Sequence, residues 1–205
     1  METVMIVDDD PAIREVFTLF LERAGYLVHA APGGKECLEL LQTVQPDLLI
    51  LLDIMMEPID GWETLDAIKS NTATRQVPVM MVSAKQPTRT EILQHGSQIE
   101  DYIFKPIELA ALSRSVAAVI EHCQDVQRET ETLEKAGSNR NAIYEYYNRL
   151  RSVTIIKKLM QRFRDVRGED EDMIRVQEEQ LTRIRKNLEH GTHQPLSSGG
   201  DLRGQ

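Results

Sequence analysis

The sequence predicts a doubly wound α/β domain, a five-stranded parallel sheet in flavodoxin-like order 2-1-3-4-5, followed by an all-helical extension. Three observations predict it. Five short apolar runs, at 3–7, 26–30, 48–52, 77–82 and 101–104, alternate with segments of helical period. That alternation implies βαβ units, hence a parallel sheet with helices on both faces, and right-handed crossovers prune the possible strand orders. The run Leu48-Leu49-Ile50-Leu51-Leu52 is five consecutive aliphatic residues, the pattern of a strand buried on both faces. After residue 109 no strand-like run returns, and apolar residues keep helical spacing almost to the end.

Each element has a local reason. Thr3–Val7 is β-branched and apolar and ends abruptly in Asp8-Asp9-Asp10-Pro11. Proline suits the first turn of a helix, and residues 12–24 place Ile13, Val16, Phe17, Phe20 and Leu21 at helical spacing before Gly25 stops it. A strand at 26–30 precedes a helix at 33–44 carrying Cys37, Leu38, Leu40 and Leu41. Beyond the central strand stands Asp53; Pro58 and Gly61 then force a turn, and a helix runs over 61–70. The run at 77–82 ends in Ser83-Ala84-Lys85, a weaker helix covers 88–95, and the last strand ends in Lys105-Pro106.

Leu109, Leu112, Val116, Val119, Cys123, Val126, Thr130 and Leu133 continue at 3-4 spacing. The sheet is exhausted near residue 122, so the last helix is expected to run on to about Lys135 with a coiled-coil-like seam. Gly137-Ser138-Asn139 reads as a stop and a new cap, and a helix is expected over 141–166. Another follows from the acidic break at 168–172 to about His190, carrying Ile174, Leu181, Ile184 and Leu188. Such helices suit an antiparallel bundle, for which dimerisation would supply missing burial. The expected division is 1–122, 123–190 and a disordered tail at 191–205.

The net charge of −9 argues against a general nucleic-acid coat or a membrane-surface protein. Charge is uneven, however: residues 1–120 hold 18 acidic and 9 basic residues, while 138–167 hold 2 and 8, which suggests two functional halves. Cys37 and Cys123 lie far apart with no metal-type spacing. No stretch approaches the ~18 apolar residues of a membrane span and no signal peptide opens the chain, so a soluble, cytoplasmic protein is expected.

At the carboxyl edge of such a sheet the strand ends converge, and there open α/β folds bind ligands. The first strand delivers Asp8 and Asp9, the third Asp53, the fourth Ser83 and the fifth Lys105. Carboxylates packed together repel unless a cation neutralises them, and Mg²⁺ (or Mn²⁺) with oxygen ligands and retained waters answers that need. The motifs Val-Asp8-Asp9-Asp10, Leu-Leu-Asp53-Ile-Met-Met, Asp60-Gly61, Val-Ser83-Ala84-Lys85 and Tyr102-Ile-Phe-Lys105-Pro106 resemble, in order and interval, the receiver domain of two-component response regulators, over residues 3–120. The resemblance implies that Asp53 takes a phosphoryl group from a histidine kinase. It implies that Asp9, Asp53 and the backbone carbonyl of Met55 touch the ion, with Asp8 acting through water. Lys105 would neutralise charge in a reaction the domain helps to catalyse on itself, without being an enzyme in its own right. Ser83 would donate to a phosphoryl oxygen, and Tyr102 would rotate into the space its loop vacates, a local charge event with a distant readout.

Two departures from the family pattern stand out. Glu57 and Pro58 occupy places where receivers often carry proline and glycine. Met55 and Lys85, two residues past Asp53 and Ser83, are poorly suited to orienting an attacking water, so slow hydrolysis of the phosphoryl group is expected. For output the sequence favours helix-mediated dimerisation or binding of a protein partner. The alternative is a DNA-binding regulator using the basic helix at 140–167, with Arg140, Arg149, Arg151, Lys157, Lys158, Arg162, Arg164 and Arg167. A phosphorelay shuttle using His122 is disfavoured by its place on the last receiver helix.

Overall fold

A computed structural model describes residues 2–44, 48–162 and 169–189. Strands β1 (Thr3–Val7), β2 (Leu27–Ala31), β3 (Leu48–Leu52), β4 (Val79–Ser83) and β5 (Asp101–Phe104) form one parallel sheet in the order β2-β1-β3-β4-β5. The intervening helices are α1 (Pro11–Arg23), α2 (Gly34–Leu40), α3 (Gly61–Ser70) and α4 (Arg89–His95). This is the topology expected from the sequence. Val7 pairs with both Ala31 and Leu52, and Ser83 with Phe104, so β1, β2 and β3 end together, β4 and β5 end together two residues further on, and the residues that follow share one edge.

All five residues of β1, β3 and β4 are buried, which is why these strands read as unbroken apolar runs. Alternate residues feed two layers. Val4, Ile6, Leu49, Leu51, Met80 and Val82 meet Phe17 and Leu21 of α1 and Leu112, Val116 and Val119. Met5, Ile50, Leu52, Val79 and Met81 meet Cys37 of α2 and Trp62, Leu65 and Ile68 of α3. At roughly 1.5–3 kcal/mol for each fully buried large aliphatic, these layers outweigh the surface ion pairs, which contribute about 0–1 kcal/mol each.

Several boundaries differ from the expected ones. β2 starts one residue later, at Leu27, whose N–H donates to the Glu2 carbonyl. Helix α2 stops at Leu40 and residues 41–44 turn instead. β4 begins at Val79, because Val77 gives its N–H to Thr74 and its carbonyl to Lys69 Nζ.

Helix α5 (Leu109–Lys135) does run on past the sheet. Gly137 (φ 92°) turns the chain, and the Asn139 side chain accepts from the N–H groups of Asn141 and Ala142 to start α6 (Arg140–Arg162). The hydroxyl of Ser138 donates to the Leu188 carbonyl at 2.8 Å, so α7 (Glu169–Glu189) ends where α6 begins and the two are antiparallel. Ile174, Leu181, Ile184 and Leu188 all bury in the layer that holds Ile143, Tyr146, Tyr147 and Val153 of α6. The seam residues Val126 and Leu133 of α5 pack against that same cluster, so within this chain α6 and α7 fill the seam. The expected helix end at 166, the acidic break around Gly168 and the tail at 191–205 lie outside the described residues. Among the described residues no helix is long and apolar enough to cross a membrane.

Candidate functional site

The strand ends assemble as their register requires. Asp8 follows β1 and Asp53 follows β3, next to each other in the sheet, and both are nearly buried, at 3% and 7% exposure. Asp9 is exposed beside them, and the carboxylate oxygens of Asp8, Asp9 and Asp53 come within 4.8 Å of one another. From the end of β5, Lys105 Nζ reaches between two of them, 2.5 Å from Asp8 Oδ2 and 2.9 Å from Asp53 Oδ2. Burial raises the pKa of Asp8 against the opposing pull of Lys105. Burial alone would lower that of Lys105, but its hydrogen bonds to Asp8 and Asp53 prevail and raise it, so the ammonium stays charged.

The backbone holds these groups in place. Asp53 Oδ1 accepts from the N–H of Ile54 at 2.7 Å and of Met55 at 3.3 Å, which fixes the carboxylate plane. Asp8 Oδ1 accepts from the Asp10 N–H, and the Arg14 guanidinium donates to the Asp8 carbonyl at 2.6 Å. Asp10 in turn caps α1. Behind the site Asp60 and Glu63 form a reciprocal capping box that starts α3, and Gly61 donates to the Ile54 carbonyl. The Met55 side chain is exposed, and Glu57 precedes Pro58 in the loop through a cis peptide.

Ser83 is fully buried at the end of β4, where its Oγ faces the Lys85 N–H at 3.4 Å. Tyr102 is the second residue of β5, and its ring is already inside at 2% exposure, set against Phe104 and Trp62. Its hydroxyl donates to the Lys85 carbonyl at 2.6 Å. Burial first, then the nearby carboxylates of Glu91 and Asp53, push its pKa up, so it remains a donor. The rotation expected of Tyr102 therefore has its inward end point in this structure.

Sequence reasoning placed Asp8, Asp9, Asp53, Ser83 and Lys105 at one sheet edge, where Asp8, Asp9, Asp53 and Lys105 meet and Ser83 ends β4, with Tyr102 in the adjoining β5. It missed the supports. The spacings Asp60-x-x-Glu63 and Thr88-x-x-Glu91 were legible as capping boxes. Lys85, considered only for its place two residues past Ser83, pairs with Glu91 at 2.6 Å and ties the β4–α4 loop to α4. The Arg14 contact had no local signal. Three carboxylates that offer hard oxygen donors, open on the Asp9 side, fit a small divalent cation.

Comparison with known proteins agrees with this geometry. The family described as response regulator receiver domain matches residues 4–117. The "DNA-binding dual master transcriptional regulator RpaA" of Synechocystis sp. is 33% identical over 120 residues, 58% of this chain and 49% of that protein. The chain thus spans about half the length of the curated relatives it matches. A CheY-like receiver domain protein from Methanospirillum hungatei is 30% identical with a TM-score of 0.54, over 60% of this chain and 98% of that one. The response regulator TrrA of Thermotoga maritima, solved with Mg²⁺ and BeF, is 26% identical with a TM-score of 0.51, over 58% and 99%.

Proposed function

The chain belongs to the response regulator receiver family through residues 4–117, and on that premise we propose that Asp53 is its phosphoacceptor and the helices at 123–190 its output. The observation that carries this reading is the meeting of Asp8, Asp9 and Asp53 with Lys105 at one sheet edge. A carboxylate oxygen of Asp53 attacks the phosphorus of a kinase phosphohistidine. The new P–O bond forms as the P–N bond breaks, and the imidazole leaves. Such transfer needs positioning and charge neutralisation more than covalent help. Bound at Asp8, Asp9, Asp53 and the Met55 carbonyl, Mg²⁺ would supply further neutralisation of the phosphoryl oxygens. The backbone N–H groups of Ile54 and Met55 orient the nucleophile, Lys105 holds positive charge against it, and the Ser83 hydroxyl is the donor for a phosphoryl oxygen.

The phosphorylated receiver then controls assembly of the helical region with a second copy or with a protein partner. The DNA-binding alternative draws on the names of relatives such as RpaA, but five cations of α6 are paired within the chain. Arg140 pairs with Glu134, Arg149 with Glu145, Arg151 with Glu100, Lys157 with Glu178 and Lys158 with Asp101. The test is the mass of the protein in solution with and without beryllofluoride and Mg²⁺. A shift that Asp53→Asn abolishes establishes both the site and self-association as output. A wild-type protein that takes up no beryllofluoride removes the reading.

A further inference from the structure

Helix α6 does more than close the helical bundle. Its second half lies against α4 and the α4–β5 loop of the receiver, with Ile155 beside Gly96, where an added Cβ would sit 3.8 Å from Ile155 Cγ2. Ile155 and Ile156 bury in the layer that also holds Ile92 and Ile99. Two cations on α6, seven residues apart and so on one face, grip that loop and the first residue of β5. Arg151 Nε pairs with Glu100 at 2.9 Å, a carboxylate only 6% exposed, and Arg151 also donates to the Ser97 carbonyl at 3.3 Å. Lys158 pairs with Asp101. Asp101 is itself committed to the next residue, because its Oδ1 accepts the backbone N–H of Tyr102 at 2.7 Å.

From Tyr102 the connection continues to the site. The Tyr102 hydroxyl holds the carbonyl of Lys85, and the N–H of Lys85 faces Ser83 Oγ. Ser83 Oγ thus acts as an acceptor toward its own loop, which leaves its proton to donate elsewhere. The arrangement in which α6 is docked and Tyr102 is inside is also the one in which Ser83 is a ready donor. Two binding events that favour one state must favour each other, and by the same factor.

We propose that α6 is a built-in positive effector of the phosphoacceptor site: Arg151 and Lys158, docked on Glu100 and Asp101, hold Tyr102 inward and so raise the affinity of Asp53 for a phosphoryl group. Phosphorylation in return tightens α6 on the receiver. Arg151 and Lys158 are positioning residues that never touch the phosphoryl group. The proposal rests on the reading of Asp53 as phosphoacceptor.

The full chain, titrated with beryllofluoride in saturating Mg²⁺, tests it. The single tryptophan, Trp62, has its ring 6.5 Å from that of Tyr102 and reports binding by fluorescence. The double variant Arg151→Glu, Lys158→Glu is expected to bind about fivefold or more weakly than the wild type. Arg151→Glu alone is expected to lose part of that affinity and to regain it when Glu100→Arg restores the opposite pair, which a misfolded chain would not do. Amide hydrogen exchange in α6 is expected to slow when the wild-type protein is loaded. Equal or tighter binding by the double variant, failure of the charge swap to rescue, or faster exchange in α6 on loading overturns the proposal and leaves the site intact. A wild-type chain that does not bind removes both.

Discussion

Gly61→Ala is the substitution for which the structure makes the sharpest demand. Gly61 opens α3 directly behind the site, and a Cβ there would stand 2.1 Å from the Asp53 carbonyl oxygen, 2.6 Å from Ile54 Cα and 2.8 Å from the Asp53 carbonyl carbon. All three are backbone atoms, so no rotamer change relieves the clash. The Asp53–Ile54 peptide and the start of α3 must separate by about 1 Å, at a strain of roughly 1–3 kcal/mol. For a chain of this size that lowers the Tm by about 2–12 °C. The same displacement moves the nucleophile, and a 1 Å misplacement of a reacting group slows a reaction about 10²-fold. Gly34→Ala is the control. Its Cβ would meet Thr64 Oγ1 at 2.1 Å and the Ile59 Cβ at 3.4 Å, side-chain atoms and not the Asp53–Ile54 backbone. Thermal melts and the rate of Mg²⁺-dependent loading from acetyl phosphate should therefore separate the two variants. Both lose stability, and only Gly61→Ala loses loading. Equal loading rates for wild type and Gly61→Ala, or equal slowing of both variants, would refute the reasoning.

Three further outcomes are expected. Lys105→Met removes the cation between Asp8 and Asp53 and should slow loading from acetyl phosphate about 10²–10³-fold; a rate within a fewfold of wild type would show that Lys105 is only a structural counter-ion. The pKa of Glu91 is lowered from 4.5 to about 2: burial would raise it, but the hydrogen bonds from Lys85 and Thr88 prevail. Its stabilising contribution is thus complete above the unfolded value and disappears as pH falls from about 4.5 toward 2. Urea unfolding should find Glu91→Gln less stable than wild type at pH 7 and nearly equal to it near pH 2, whereas a pH-independent difference would count against the Lys85 pair. Finally, the Lys85 ammonium is occupied by Glu91 and the Met55 side chain is apolar, so neither positions a water. The phosphorylated protein should keep its phosphoryl group for many minutes or longer, and decay within seconds would contradict this.

What was legible in the sequence follows from where its information is local. A buried parallel strand announces itself by an unbroken apolar run, and the residue that ends the run is named with it. Asp8, Asp53, Ser83 and Lys105 were therefore placed by counting, and the strand order brought them together. Boundaries were less legible where a residue spends its backbone groups outside the sheet, as Val77 does on Thr74 and Lys69. The capping boxes at 60–63 and 88–91 were present as spacing but compete with many chance matches of the same kind. The clasp of α6 on the receiver was not legible at all. Arg151 and Glu100 are far apart in the chain, and helical periodicity says which face of α6 is apolar without saying what it meets. Of the basic stripe that suggested nucleic acid, Arg140, Arg149, Arg151, Lys157 and Lys158 have acidic partners within the folded chain.

The match to the receiver family ends at residue 117, but the apolar layer beneath α3 and α4 does not. Ile143, Ile155 and Leu159 belong to the same contiguous cluster as Trp62, Ile92 and Ile99. A polypeptide cut at the family boundary would turn that shared interior into a greasy strip on a free surface, of the kind that makes proteins self-adhere. The smallest unit that melts as one is then longer than the evolutionary module it contains. Solubility would follow the fold rather than the family, and sedimentation of chains ending at 117 and at 189 would separate the two.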